Sequence, residues 1–489
     1  MKPSKKNITC FFAGFFAYKN NINIKYSDGS DNVINEKILN MKEEIVNSVQ
    51  GCVKIKSVEE EPKKNMPFGE GVHKALEYCL QLSESLGFKT VNVDNMIGYA
   101  EYGSGDEMIA VLGHLDVVPE GDGWTHPPYG AEIHKGKIYG RGTTDDKGPT
   151  IGALYALKAI KDLNVPLKRR VRIFFGLNEE TGSKCVKHYV DNGGEIPVAG
   201  FTPDAEYPII NGEKGIVTCK YIRKLKQCGD LVLKSIRGGI AANVVPDYAE
   251  AEIAVLGKNA EHIKKLAEEF EEISVIVKDD SILVKCIGIS AHGSTPEKGK
   301  NAISHLMKFL GRLDFSGGFK EFIDYFNKYM GTELNGESLG IYLEDDISGK
   351  LIFNLGTIMG DENEICLEIN MRYPVTKKYE DFIDVFKEKM ILGKLEEVYL
   401  RHKKSLYVSP DTEFIKRLQK VYEEQFGEKA ELISIGGGTY AKAMENIVAF
   451  GPIFKGQPMV EHKPDEYIEI DSLMKNVQVM AAAIKELAN

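Results

Sequence analysis

The feature that most constrains this chain is a nearly uninterrupted apolar run, Met108 to Val118, broken only by Gly113-His114-Leu115-Asp116 near its end. A run of this kind fits a strand buried on both faces, which needs helices above and below it and a largely parallel sheet. The neighbouring sequence supplies them. Pro149 to Leu163 predicts a helix, Arg170 to Leu177 a strand, and Thr181 to Val190 a helix. Strand–helix–strand alternation is the pattern of a covered parallel sheet, and reactive groups in such folds sit at the carboxyl ends of strands. Upstream, Ile34, Ile38, Met41, Ile45 and Val49 recur at helical spacing and predict one helix from Val33 to about Val49. Val72, Leu76, Leu80 and Leu86 predict a second, stopped at Gly87.

From about Glu213 the texture changes. Ala249 to Val255 reads as a strand, Ala260 to Glu271 as an amphipathic helix, Ile273 to Val277 and Ile282 to Ser290 as strands, and Asn301 to Leu313 as a helix. That β-α-β-β-α order suggests an α+β unit of ferredoxin-like type. Lys350 to Thr357 and Ile365 to Tyr373 predict a hairpin across the turn at 360–363. After about His402 the α/β pattern returns. The expected architecture is therefore an α/β domain with a mostly parallel sheet, in two parts (31–210 and 403–489), interrupted by an inserted α+β domain at 211–402. Residues 1–30 stand apart. Lys2, Lys5 and Lys6 precede an apolar stretch from Ile8 to Tyr18 that lacks leucine and a small-x-small cleavage site. They read as an N-terminal extension, a non-conforming leader or an over-long reading frame upstream of Met41, rather than an export signal.

Composition excludes several classes of function. Lys plus Arg is 62 and Asp plus Glu is 72, a well-mixed net charge of −10. This is a poor surface for nucleic acid or anionic lipid. No apolar stretch reaches the ~18 residues that span a bilayer. None of the eight cysteines forms a CxxC pair, and most lie in apolar runs, as expected for reduced thiols in a cytoplasmic compartment.

The chemistry concentrates in polar clusters at predicted strand ends. His114 and Asp116 share a strand face; they suit a metal-bound imidazole steadied by a carboxylate, or a plain structural pair. The loop at 140–149 carries three glycines beside Asp145 and Asp146. Adjacent carboxylates would repel a phosphate, so the loop suits a cation or a solvated helix start. Glu179 and Glu180 follow a buried strand, where one could bind metal and the other act as a base. Asp204 or Glu206 offers a further ligand, and His462 lies in a loop before the last helix. Together His114, Asp145, Glu180, Asp204 and His462 make a plausible set for two divalent metals, with one carboxylate bridging. Mixed nitrogen and oxygen ligation favours zinc, with manganese or cobalt possible. Gly436-Gly437-Gly438-Thr439-Tyr440-Ala441 fits a dinucleotide fingerprint. Only about 50 residues follow it, too few for a complete nucleotide-binding unit, so a backbone-rich substrate loop is the better reading.

Five segments match one family in order: GHLDVVP (113–119), YGRGTTDDKGP (139–149), NEETG (178–182), FTPDAEYP (201–208) and EHKPDEYI (461–468). The chain resembles the co-catalytic zinc M20 metallopeptidases over about 35–489, and within them the PepV/Sapep-type dipeptidases. The resemblance implies two zinc ions per chain. His114, Asp145 and Asp204 would hold one, and Asp145, Glu180 and His462 the other. Asp116 would orient His114, and Glu179 would activate the water between the metals, while Asp146 would not be a ligand. In the inserted unit, then a lid, Asn243 and Arg372 would bind substrate and His292 would polarise the scissile carbonyl. The implied substrate is an unblocked dipeptide, and the alternative is an N-acyl amino acid amidohydrolase of the same metal centre. The long insertion implies a monomer. The departures, residues 1–30 and Lys463, touch no implied ligand.

Overall fold

The computed structural model describes residues 29–255 and 260–489. The expected N-terminal extension lies, up to residue 28, outside the described residues. Met108–His114 is buried along its whole length. It pairs in parallel with Arg170–Gly176 on one side and Ala199–Thr202 on the other, and Ile447–Ala449 continues the parallel set. The margins add antiparallel pairings, Lys89–Val93 and Ile97–Tyr102 on one side and Ile209–Glu213 with Leu406–Tyr407 on the other, and Leu432–Ile435 joins Ile209–Glu213 in parallel. The parallel centre is where both faces are covered. Lys147–Asp162, buried nearly all round, packs between this sheet and the helices Lys42–Val53 and Ile470–Leu487. Pro149 falls in its first turn, where a missing N–H costs nothing.

Two local expectations change. The single helix expected over 33–49 is two, Gly29–Asn40 and Lys42–Val53, divided at Met41. The first packs on Ile470–Leu487 and Lys147–Asp162, and the second on Lys147–Asp162 and Glu70–Ser85, so both bury their stripes against Lys147–Asp162 and differ in their second neighbour. Ile38 is fully buried, which makes the segment before Met41 part of the core. The helix expected from Thr181 starts instead at Lys184, because the Asn178 side chain accepts the Lys184 N–H and Ser183 adopts a left-handed turn.

A second hydrophobic core lies between residues 217 and 395. Its eight-stranded sheet is antiparallel throughout, in the order Ile273–Val277, Ser281–Ile287, Tyr248–Val255, Leu231–Gly238, Ile352–Asp361, Glu364–Tyr373, Gly215–Lys224, Glu396–Lys403. The β-α-β-β-α run is present at 248–310. The strand beside Tyr248–Val255 is Leu231–Gly238, which precedes that run, and the 352–373 hairpin widens the sheet. Strict alternation of burial along Gly215–Lys224 leaves one sheet face for Ala302–Leu310 and its neighbours to cover. The chain passes from the first core to the second at residue 214 and returns after Lys403. Leu406–Tyr407 then pairs with Ile209–Glu213, so the two crossings lie side by side. Among the described cysteines, five are buried and none forms a disulfide. No helix among the described residues is long and apolar enough to cross a membrane.

Candidate metal centre

The carboxyl ends of the parallel strands converge on one carboxylate. His114 closes Met108–His114 and is fully buried. Its Nδ1 lies 3.0 Å from the Asp116 carbonyl oxygen, which leaves Nε2 facing forward. That Nε2 is 3.0 Å from Asp145 Oδ1 and 3.8 Å from Asp204 Oδ1. On the far side, His462 Nε2 is 2.9 Å from Asp145 Oδ2 and 3.3 Å from Glu180 Oε1. Asp145 thus presents one oxygen to each imidazole. The ligand atoms of His114, Asp145 and Asp204 lie within 4.8 Å of one another, as do those of Asp145, Glu180 and His462. Glu180 follows the strand Arg170–Gly176, Asp204 follows Ala199–Thr202, and His462 stands on a left-handed residue.

A layer of supporting groups fixes these five. The Asp116 carboxylate accepts the backbone N–H groups of Glu179 and Glu180, both at 3.1 Å, so Asp116 steadies His114 mainly through its carbonyl and uses its carboxylate to hold the Glu-Glu pair. Asp146 turns away and accepts the His114 N–H at 3.2 Å and the Thr150 hydroxyl at 3.0 Å; it holds the strand end. Glu466 was not singled out in the sequence. It is fully buried, takes the Arg141 guanidinium at 2.6 Å, and accepts the N–H groups of Gly142, Thr144 and Asp145 at 3.0, 3.0 and 3.3 Å. It therefore clamps the loop of Asp145 to the loop of His462. Its position four residues after His462 was the available hint.

The donors fit divalent cations. His114 Nε2 is buried with no hydrogen-bond partner, although two carboxylates face it. Burial disfavours a charge on this ring, yet Asp116, Asp145 and Asp204 outweigh it and raise its pKa well above the usual imidazole value. Asp145 and Glu180 push His462 to about 11. Burial and then Asp145 lift Asp204 to about 6 despite the opposing pull of His114, and burial followed by Asp204 raises Glu179 well above an ordinary carboxyl. The cluster is a concentration of negative charge, and divalent ions held there would balance it while leaving the imidazoles neutral.

The inserted unit reaches this centre through the glycine loop. Asn243 and His292 are neighbours, since Val244 pairs with His292 and the Asn243 carbonyl accepts the Gly293 N–H at 2.7 Å. His292 Nδ1 lies 2.6 Å from the Ser294 hydroxyl oxygen and accepts the Ser294 N–H at 3.3 Å, an arrangement that suits a neutral ring carrying its proton on Nε2. Arg372 is buried, receives support from Asn370 Oδ1 at 3.0 Å, and donates to the Gly436 carbonyl. A side chain at Gly436 would meet Ser294, its Cβ only 2.8 Å from the Ser294 Cβ, so the loop bearing His292 packs on the same glycine. Four residues on, the Tyr440 ring meets His114 edge-on at 5.9 Å.

A model of peptidase family M20/M25/M40 matches residues 110–486. The chain belongs to this family. Among its relatives is the "Putative dipeptidase YtjP" of Bacillus subtilis (strain 168), 41% identical over 462 residues that cover 92% of this chain and 99% of the relative. The "Putative dipeptidase SAR1836" of Staphylococcus aureus (strain MRSA252) is 35% identical over 463 residues, covering 92% and 98%. Two solved structures share the M20 fold of this chain. Human carnosine dipeptidase 1 gives a TM-score of 0.56 at 16% identity, covering 94% of this chain and 99% of its own. Aminopeptidase PepT from Bacillus cereus gives 0.56 at 15%, covering 92% and 99%.

Proposed function

We propose that this M20 peptidase hydrolyses the peptide bond of unblocked dipeptides at a pair of divalent metal ions, zinc first and manganese or cobalt as substitutes. The observation that carries this is Asp145, poised between two imidazoles with a further carboxylate beside each. Its relatives' names point to the same substrate class. His114, Asp145 and Asp204 would hold one ion, and Asp145, Glu180 and His462 the other. Bound there, the ions polarise the scissile carbonyl and acidify the attacking water.

The remaining work falls to the chain's own groups. The Glu179 carboxylate takes the proton of the attacking water and returns it to the departing amine. His292, with its proton on Nε2, donates to the carbonyl oxygen as negative charge builds there, a contribution of ~3–4 kcal/mol for a well-placed donor. Asn243 beside it holds the substrate backbone. Arg372 is a buried cation, its pKa lowered by burial to about 10, with no ion-pair partner among the described residues. It takes the substrate's C-terminal carboxylate. A longer peptide places that carboxylate out of register, which limits the substrate to two residues. The inserted unit acts as a lid in cis, so a monomer carries the whole site, and reduced thiols suit a cytoplasmic enzyme.

Metal analysis of the purified chain tests the reading. Two ions are expected at these five ligands, with activity abolished by chelation and restored by zinc. Asp145→Asn should disturb both ions, and His462→Ala chiefly one. Full activity in metal-free protein would refute it.

A further inference from the structure

A second histidine cluster lies outside the catalytic set and shares none of its residues. His126, Glu132 and His134 offer three ligand atoms, all within 4.8 Å of one another. Glu132 and His134 sit two apart on the strand Glu132–His134 and so share a face. One oxygen, Glu132 Oε2, faces both rings, 2.8 Å from His134 Nε2 and 3.8 Å from His126 Nδ1.

His126 and His134 stack with centroids 4.5 Å apart, and Tyr139 lies against His126 at 4.1 Å. The backbone N–H of His126 donates to Asp465 Oδ1 at 3.1 Å. Glu132 already meets His134 Nε2 at hydrogen-bond distance, whereas His126 Nδ1, at 3.8 Å, is left beyond hydrogen-bond reach of the same oxygen. One divalent ion would engage the lone pairs of both neutral rings and the carboxylate together, the two rings turning out of their stack to face it. Two imidazoles and a carboxylate are a zinc-type donor set, with water to complete the tetrahedron, whereas calcium or magnesium would require more oxygen.

We propose that His126, Glu132 and His134 form a third metal site, for zinc or a similar borderline divalent ion, separate from the catalytic pair. An ion there ties the 125–126 turn to the strand Glu132–His134. Through Asp465, which also accepts the Thr125 N–H at 2.8 Å, it braces the loop that presents His462. The site is therefore a structural or regulatory one beside the catalytic loop.

The test is equilibrium dialysis of the zinc-loaded protein against excess zinc, with zinc-edge anomalous diffraction on the same sample. Wild type should hold one ion more than His134→Ala and His126→Ala, and the extra anomalous peak should lie between the three side chains. His188→Ala, which removes a histidine paired with Asp94, should bind as wild type does. Dipeptide hydrolysis by His134→Ala should be unchanged when zinc only suffices for the catalytic pair. Equal stoichiometry in wild type and His134→Ala, or a peak elsewhere, would overturn the proposal.

Discussion

The Asp116 carboxylate accepts the backbone N–H of Glu179 at 3.1 Å. The residue two places after His114, a proposed metal ligand, thereby also holds the proposed base in position. Asp116→Asn keeps the shape but exchanges one of two acceptor oxygens for an amide that cannot accept the second N–H. We expect kcat/KM to fall about 10- to 100-fold, the range for losing a partner behind a metal ligand, with little change in thermal unfolding. Steady-state kinetics beside a melting curve checks this.

Glu179→Gln removes basicity and retains size. Turnover should fall by at least ~10²-fold, the usual contribution of a general base, while metal content stays at the wild-type level. A variant that keeps more than about a tenth of the wild-type rate would take the base role away from Glu179.

Glu466→Gln addresses stability and metal geometry together. Arg141 and Glu466 are both almost wholly buried and paired at 2.6 Å. Removing one charge leaves the other uncompensated, which costs ~3–5 kcal/mol in a buried pair. A marked drop in unfolding midpoint is expected, along with weaker metal retention, because the three N–H groups around Asp145 lose a charged acceptor. Thermal denaturation with and without added zinc measures both.

Legibility in the sequence divided along physical lines. The five clustered ligands were readable because each stands at the end of an apolar run or in a glycine-rich turn, where packing gives no reason for a carboxylate or imidazole. The parallel core was readable from Met108–His114, whose burial on both faces leaves no alternation. Glu466 was not, since its role arises from contacts with Arg141 and the 142–145 backbone, 325 and 321–324 residues away in sequence. Nor was the break at Met41, where the apolar stripe runs on unbroken across the division between the two helices. The full eight-stranded sheet also escaped, because Leu231–Gly238 and Glu396–Lys403 gain their places from long-range pairing.

Arg372→Ala tests the carboxylate ruler. Loss of a hydrogen-bonded charge is worth about 1.5–3 kcal/mol, so kcat/KM on a free dipeptide should fall roughly 10- to 100-fold. Hydrolysis of the matched dipeptide amide should change little, which narrows the gap between the two substrates. An equal loss on both would mean that Arg372 acts on the protein and not on the substrate.

The central claim, a dipeptidase with a metal pair and a carboxylate ruler, is tested most directly by one comparison on the zinc-loaded wild type. This is kcat/KM for an unblocked dipeptide set against its C-terminal amide, a tripeptide extended from it and the matching N-acetyl amino acid. The account predicts fast cleavage of the free dipeptide, slow cleavage of the tripeptide and little action on the amide or the N-acetyl compound. Equal rates on the dipeptide and its amide would contradict it, and faster turnover of the N-acetyl amino acid would make the protein an acyl-amino-acid hydrolase instead.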